Sequence, residues 1–112
     1  MDSDDKKKIS DEITQEMCAL IDSALQKQPH RLVWSKCFPH HDSNVNDILN
    51  SVNIKVHNHF LNNETVIMSE NSSVAFKGKF PNRKLYRDKK HLNTSGVKIF
   101  VSNLLHILSG VY

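Results

Sequence analysis

The central segment of the chain reads Arg31-Leu-Val-Trp-Ser-Lys-Cys-Phe38 and is rich in residues that favour β-strands. Pro39 closes this run, because proline cannot donate a hydrogen bond to a β-ladder. A helical pattern follows, and after it comes a second β-prone run, Thr65-Val-Ile-Met-Ser69. Two strands joined through a helix of this length pair in parallel, with a right-handed crossover. The centre of the chain therefore predicts a short parallel sheet.

Three segments have the apolar spacing of amphipathic helices. The first is predicted to begin at Ser10, which has the chemistry of an N-cap. The second follows Asp42 or Ser43, and the third follows Asn93 or Thr94, all of which can cap a helix. The predicted apolar positions are Ile13, Met17, Leu20, Ile21, Ala24 and Leu25 in the first helix, Val45, Ile48, Leu49, Val52, Val56 and Phe60 in the second, and Val97, Phe100, Val101, Leu104, Leu105 and Leu108 in the third.

The predicted order of elements is helix, strand, helix, strand, long loop, helix. Residues 1–9 are charged and polar and are expected to form a disordered N-terminal lead, with one domain over residues 10–112. Residues 70–90 carry no periodic pattern, and loops of that length in compact domains are usually functional or disordered. Parallel strands normally lie in larger sheets that are covered on both faces. The expected fold class is therefore α/β, as part of a doubly wound domain.

Composition limits the classes of protein to which the chain can belong. Its 112 residues make roughly one small domain, and 15 Lys+Arg against 12 Asp+Glu leave a formal net charge of +3. The sequence contains no apolar run of membrane-span length and no signal-peptide pattern. Its two cysteines, Cys18 and Cys37, are too few for a disulfide framework. We therefore expect a cytoplasmic protein in a reducing compartment, without membrane contact.

Asp88 and His91 are the strongest candidates for catalytic chemistry, and they lie three residues apart before the third helix. At such a turn, this spacing can place a carboxylate beside one imidazole nitrogen. The carboxylate then fixes the tautomer and stabilises the imidazolium, so that the other nitrogen acts as a general base. The alternative is that Asp88 makes only a local cap or salt bridge and that His91 is a surface histidine.

The longer string Asp-x-x-His-Leu-Asn-x-x-Gly, followed by an amphipathic helix, resembles the C-terminal block of the SGNH (GDSL-type) ester hydrolases. The resemblance implies that Asp88 is the orienting acid and His91 the base of a Ser-His-Asp triad. It also implies that Leu92 and Asn93 belong to the entry of the last helix, and that Gly96 lets this helix pack closely. The implied fold is a flavodoxin-like three-layer sandwich, of which the chain is the C-terminal part.

The segment from Trp34 to Asp42 resembles the penultimate core strand of that family and the Pro-containing loop after it. Two family features are absent: no glycine precedes an Asp-Ser pair to form the nucleophile turn, and there is no Gly-x-Asn-Asp stretch to supply oxyanion donors. Lys89 and Lys90 also replace the small or apolar pair common between the Asp and the His. The resemblance therefore implies a domain that is inactive alone and hydrolyses an acyl ester only when an N-terminal half supplies the serine.

A second group of residues has the chemistry of zinc ligands. Cys37, His40 and His41 are close in sequence, and His57 and His59 lie on the next predicted helix. The last two are two residues apart, so they face different sides of a helix. We therefore expect solvated histidines, with no metal and no cofactor. Cys37 is also the best substitute nucleophile in the chain, although a small buried residue on a strand is the preferred interpretation.

A basic loop separates the second strand from the last helix. Phe76, Phe80 and Tyr86 are interleaved with its cations, an arrangement that suits single-stranded nucleic acid or an anionic ester. The small net charge of +3 favours instead a solvated loop whose aromatic side chains dock on the sheet edge. The cations of this basic loop are Lys77, Lys79, Arg83, Lys84, Arg87, Lys89 and Lys90.

Three functions stay open at this point. The chain can be the C-terminal part of an ester hydrolase domain, a non-catalytic module that binds an acidic partner through the basic loop, or a small nucleic-acid-binding protein in which Asp88 and His91 are unrelated. A two-stranded sheet leaves strand edges unpaired, and small chains bury a low fraction of their surface. We therefore expect a marginal monomer that self-associates through its open sheet edge or needs a missing half.

Overall fold

The computed structural model describes residues 1–37, 40, 42–69, 75–76, 80–81, 83–87 and 91–109. Within these residues the protein is mixed α/β, with three α-helices and a short two-stranded parallel sheet. The helices are α1 (Ser3–Leu25), α2 (Ser43–His59) and α3 (Thr94–Ser109), and the strands of the sheet are β1 (Leu32–Ser35) and β2 (Val66–Ser69). Between β2 and α3 lie β3 (Ala75–Phe76), β4 (Phe80–Pro81) and a 3₁₀ turn over Arg83–Leu85.

The predicted parallel sheet is confirmed. β1 pairs with β2 in parallel, so that Leu32 lies opposite Val66 and Ser35 lies opposite Ser69. The two strands are connected through α2, which is the crossover helix. Within the described ranges each of these strands has one neighbour, so the structure shows an outer edge on both.

The hydrophobic core lies between α1, α2 and one face of the sheet. Val52 and Val56 of α2 are 0% and 1% exposed, and they form its centre. Because alternate residues of a strand face opposite sides, Leu32 and Trp34 of β1 point to the same face, and both pack against this core. The buried members are Cys18, Ile21, Ile48, Val52, Val56 and Phe60, and the half-buried side chains packed around them are Ile9, Ile13, Met17, Leu25, Leu32, Trp34 and Val66.

α1 begins earlier than the sequence predicts. Its N-cap is Asp2, whose carboxylate accepts a hydrogen bond from a backbone N–H of the first turn at 2.8 Å. The prediction of Ser10 as the N-cap is wrong, and residues 3–9, expected to be a disordered lead, form the first two turns of the helix. Both residues have cap chemistry with carboxylates following. The longer helix is stabilised by tertiary contact, since Lys6 donates to Asp47 of α2 at 2.9 Å.

One residue of the predicted apolar stripe of α1, Leu20, faces solvent instead of the core. Leu20 is 71% exposed, whereas Ser10, Cys18 and Ile21 are buried. The buried side of α1 is therefore rotated toward the polar residue Ser10, because α2 covers only that side of the helix. A stripe defined by apolar residues alone misses this rotation.

The predicted N-cap of α2 is confirmed as Asp42. Its carboxylate accepts hydrogen bonds from the backbone N–H groups of Asn44 and Val45, at 2.9 and 3.2 Å. These bonds satisfy two of the donors that a helix leaves unpaired at its N-terminus.

Two asparagines on the buried side of α2 fix the connection between β1 and α2. The Asn53 side chain accepts from the Cys37 backbone N–H at 2.9 Å and donates to the Cys37 carbonyl oxygen at 3.3 Å. Asn46 accepts from the backbone N–H of His40 at 3.0 Å. The amide groups thereby replace the backbone partners that this irregular segment lacks.

The segment expected as a long loop contains regular structure in its described part. β3 and β4 pair in antiparallel fashion, with Ala75 opposite Pro81 and Phe76 opposite Phe80. None of the helices in the described part of the chain is long and apolar enough to cross a bilayer.

Candidate functional site

The chain folds back on itself immediately before α3. The backbone N–H of Asn93 donates to the carbonyl oxygen of Leu85 at 2.8 Å, and the backbone N–H of Arg87 donates to the carbonyl oxygen of His91 at 2.9 Å. These two bonds form a narrow antiparallel ladder, so His91 occupies a fixed backbone position opposite Arg87.

The structure describes only one member of the candidate acid–base pair, His91. Asp88, together with Lys89 and Lys90, lies outside the described residues, so its contact with His91 stays a prediction. The His91 side chain is exposed, on a backbone held by Arg87. An exposed imidazole on an anchored segment is accessible to a substrate or to a further segment of protein.

Asn93 is confirmed as the cap of α3, the first of the two residues predicted for that role. Its side-chain oxygen accepts from the backbone N–H of Gly96 at 2.9 Å, which is the N-cap arrangement. Its side-chain amide donates to the carbonyl oxygen of Lys84 at 2.7 Å. One asparagine therefore both begins the helix and ties it to the preceding 3₁₀ turn.

Gly96 lies where α3 comes closest to the segment before it. A Cβ atom at this position would collide with the carbonyl oxygen of Leu85 and would lie 3.0 and 3.1 Å from Cδ2 and Cβ of Leu92. The Leu85 oxygen is a backbone atom that already accepts the hydrogen bond from Asn93, so it cannot move aside cheaply. Leu92, Asn93 and Gly96 thus lie at the entry of α3, and the close approach depends on the missing side chain of Gly96.

Tyr86 is the buried anchor of this region, at 9% exposure. It pairs with Leu92 in an antiparallel bridge, and burial raises the pKa of its phenol. Its hydroxyl has no hydrogen-bond partner among the described residues. A buried ring cannot stack on a nucleic-acid base, so Tyr86 does not serve the nucleic-acid interpretation.

An open cleft of about 390 Å³ lies between the loop and the first turns of α3. Leu92 and Val97 give it an apolar surface, and the exposed cations Arg87 and Lys98 lie at its margin. The remaining lining residues are Asn93 and Thr94. This composition suits a ligand with a small apolar part and a negatively charged or strongly polar group.

The basic loop is only partly described. Lys77, Lys79, Lys89 and Lys90 lie outside the described residues, and so does the side chain of Arg83. Lys84 and Arg87 are both exposed. The structure therefore places these two cations of the predicted set near the entry of α3, and the arrangement of the whole set stays a prediction.

The predicted zinc-ligand residues do not converge in the described ranges, where no three His, Cys, Asp or Glu side chains come together to hold a metal. His57 Nδ1 lies 2.7 Å from Met68 Sδ, and the His59 ring packs edge-on against Phe60. His41 lies outside the described residues. Burial raises the pKa of the Cys37 thiol, so the nucleophilic thiolate is disfavoured there.

Both cysteines, Cys18 and Cys37, are free thiols. The burial of Tyr86 has no signal in the local sequence, because one tyrosine among cations has no periodic neighbour to indicate it. The roles of Asn46 and Asn53 were not predicted either, although a signal existed: they are seven residues apart on the apolar side of α2, and polar groups on a buried face need partners.

Comparisons of this chain with protein-family models, with curated proteins and with solved structures found no match.

Proposed function

We propose that the chain supplies the acid–base half of an SGNH-type ester hydrolase, with His91 as general base and Asp88 as its orienting partner. In the proposed reaction, His91 accepts the proton of a serine hydroxyl as the serine oxygen attacks the carbonyl carbon of an acyl ester. The imidazolium then gives that proton to the departing alcohol, and water releases the acyl group in a second, equivalent step. Asp88 keeps the imidazole in the required tautomer and stabilises its charged form.

The observation that supports this proposal most directly is the entry of α3. Three motif residues, Leu92, Asn93 and Gly96, each have a distinct structural part there: packing neighbour, helix cap and close-approach position. If the motif had arisen by chance, its glycine, Gly96, would not be expected at a position where a Cβ would collide with the backbone carbonyl of Leu85. The same entry anchors the backbone of His91, which is what a general base requires.

The architecture is compatible with the proposed flavodoxin-like three-layer sandwich. A parallel β1–α2–β2 unit is the building block of doubly wound sheets. The outer edges of β1 and β2 are the positions at which further strands would extend the sheet. In the proposal, a segment outside these 112 residues supplies such strands together with the serine and its oxyanion donors.

The first test concerns the serine nucleophile. Incubation of the 112-residue chain with a fluorophosphonate probe is expected to label no serine, because the sequence contains no Gly-Asp-Ser turn. The coding sequence upstream is expected to contain that turn and a Gly-x-Asn-Asp stretch. The protein extended by that segment is then expected to hydrolyse a chromogenic short-chain ester and to react with the probe.

The second test concerns the roles of the pair in that extended protein. Asp88→Asn is expected to lower kcat by a factor on the order of 10⁴, and His91→Ala by a factor on the order of 10⁶, as for other serine triads. His106→Ala is the matched control, since it removes an exposed histidine of α3 and should leave kcat within about twofold. Unchanged hydrolysis in the His91→Ala protein, or labelling of a serine in the 112-residue chain, would contradict the proposal.

A second candidate function is the non-catalytic interaction module. It is favoured by one observation: Val97, Val101 and Leu105 are exposed along one line of α3, with Lys98 beside them. Salt-sensitive binding of an acidic peptide, weakened in the double variant Arg87→Ala, Lys98→Ala, would support this function. The absence of hydrolysis in the extended protein would then decide between the two candidates.

A further inference from the structure

The polar half of the α1–α2 contact contains a cleft that the proposed hydrolase chemistry does not use. It has a volume of about 370 Å³ and lies beside the N-terminal half of α1. This volume is at the small end of the range for ligand pockets, about 300–1,000 Å³. Its lining residues are Ser3, Lys6, Lys7 and Ser10 of α1 and Asp47, Ile48, Ser51 and Lys55 of α2.

The lysines of this cleft are held in place by carboxylates. Lys6 Nζ lies 2.9 Å from Asp47 Oδ2, and Lys55 Nζ lies 2.6 Å from Asp11 Oδ1. Lys7 Nζ reaches the second oxygen of Asp11 at 3.1 Å. All three lysines line the cleft, and these contacts restrain their ammonium groups before any ligand arrives, which reduces the entropic cost of binding.

Ser10 fixes the floor of the cleft. Its hydroxyl, on a residue only 1% exposed, donates to the carbonyl oxygen of Lys7 at 3.0 Å and accepts from Lys55 Nζ at 2.8 Å. The Ser51 hydroxyl lies 3.5 Å from the same oxygen. The hydrogen-bonding capacity of Ser10 is thereby used within the protein, and it acts as a support for Lys55.

The cleft has more hydrogen-bond donors than acceptors. Three ammonium groups carry nine N–H donors in all, and the described contacts use four of them, one from Lys6, one from Lys7 and two from Lys55. The three lysines face the two carboxylates Asp11 and Asp47, so one positive charge is left over. An anion with several acceptor oxygens would use these donors and neutralise the remaining charge.

We propose that this cleft binds the phosphate group of a small phosphomonoester, through Lys6, Lys7 and Lys55. A phosphomonoester carries between about −1.5 and −2 charges at neutral pH and three terminal acceptor oxygens, so it neutralises the surplus charge and engages several of the unused donors. A carboxylate offers two oxygens, and therefore leaves more of the donors unused.

The test is an NMR titration of the ¹⁵N-labelled chain with phenyl phosphate and, separately, with inorganic phosphate, each against sodium chloride at the same ionic strength. Phenyl phosphate is expected to shift the amide signals of the residues that line the cleft. Lys7→Ala is expected to weaken this binding about tenfold, since it removes one charge-assisted hydrogen bond. Lys7 is exposed, so the variant should keep its fold.

Lys8→Ala is the matched control, because Lys8 is an exposed lysine of the same helix turn that does not line the cleft. It should leave the affinity for phenyl phosphate unchanged. A second variant, Lys6→Ala, checks the result at another cation, and its circular dichroism spectrum shows whether α1 is intact.

Cosedimentation with phosphatidylcholine vesicles that contain phosphatidic acid separates a lipid headgroup from a soluble phosphomonoester. Binding to these vesicles that Lys7→Ala weakens and Lys8→Ala does not would identify the lipid form of the same ligand. Equal shifts with phenyl phosphate and with chloride, or equal loss of affinity in Lys7→Ala and Lys8→Ala, would overturn the proposal, because either result is what non-specific charge attraction gives.

Discussion

The α1–α2 region and the α3 region are built differently, although each depends on a long helix with an apolar stripe. α1 and α2 bury their stripes against each other and against the sheet, and Val52 and Val56 are almost completely covered. α3 leaves Val97, Val101 and Leu105 at 44–61% exposure. The first region is stabilised along its length by side-chain packing, and the entry of α3 is held by the Asn93 hydrogen bonds and by the close approach at Gly96.

This difference bears on the proposed function. Functional segments are commonly the less stable parts of a protein, since they carry groups that must remain accessible. The backbone of His91 is anchored while its side chain is exposed, and the helix that follows keeps an uncovered apolar side. We therefore expect the α3 region to respond to a completing segment, and the α1–α2 region to fold independently of it.

The largest expected effect is at the centre of the α1–α2 core. Val52→Ala removes methyl groups from a side chain that is 0% exposed and leaves a cavity. We expect a loss of about 2 kcal/mol in the free energy of unfolding, measured by urea denaturation with circular dichroism.

The matched control in the same region is Leu20→Ala, because Leu20 is 71% exposed. We expect it to change the free energy of unfolding by less than about 0.5 kcal/mol. If Leu20→Ala costs as much as Val52→Ala, the side of α1 that faces the core has been assigned wrongly.

The next effect is at the entry of α3. Gly96→Ala would normally stabilise a helix by about 1 kcal/mol through its higher helix propensity. Here we expect destabilisation of about 1–2 kcal/mol, because the new Cβ collides with the Leu85 carbonyl. Amide hydrogen exchange should show lost protection in α3 and unchanged protection in α1 and α2.

Ser95→Ala is the control for Gly96→Ala, since Ser95 is the exposed neighbour in the same helical turn. It should leave the exchange of α3 unchanged. A Gly96→Ala protein with a more protected α3 would show that the helix does not approach the loop as closely as described.

The smallest expected effect concerns Asp11, in the polar half of the α1–α2 contact. Hydrogen bonds from Lys55 and then Lys7 lower the pKa of Asp11 from its ordinary value. Because the pKa is lowered in the folded state, the stabilisation is complete above the unfolded pKa, about 4, and is lost as pH falls through the folded value. As the pH decreases below about 4, the melting temperature of Asp11→Asn should therefore decrease less than that of the wild type. Glu12→Gln is the control for the loss of charge alone.

Much of the fold follows from local sequence patterns. Strand–helix–strand order was sufficient to predict the parallel pairing of β1 with β2. Side-chain chemistry gave two candidate caps for each of α2 and α3, and in each case the first of the two, Asp42 and Asn93, is the cap. The start of α1 could not be predicted in the same way. Asp2 and Ser10 have similar cap chemistry, and the contact that favours the longer helix joins Lys6 to Asp47, 41 residues away in the chain.

The entry of α3 was predictable in its residues and only partly in its geometry. The motif places Leu92, Asn93 and Gly96 together in sequence, but the collision that makes Gly96 necessary involves the backbone of Leu85, which the motif does not include. The burial of Tyr86 likewise depends on tertiary packing rather than on local pattern. The lysine cleft joins residues of two helices through contacts 41–45 positions apart, and no local spacing indicates it.

The central claim, that Asp88 holds His91 as a general base, is tested most directly by the protonation of the His91 ring. In ¹⁵N NMR of the chain at a pH where the imidazole is neutral, we expect the ring proton of His91 on the nitrogen that faces Asp88, as one dominant tautomer. Asp88→Asn should abolish that preference and leave the His106 ring signals unchanged. A His91 ring whose tautomer is the same in the wild type and in Asp88→Asn would contradict the account.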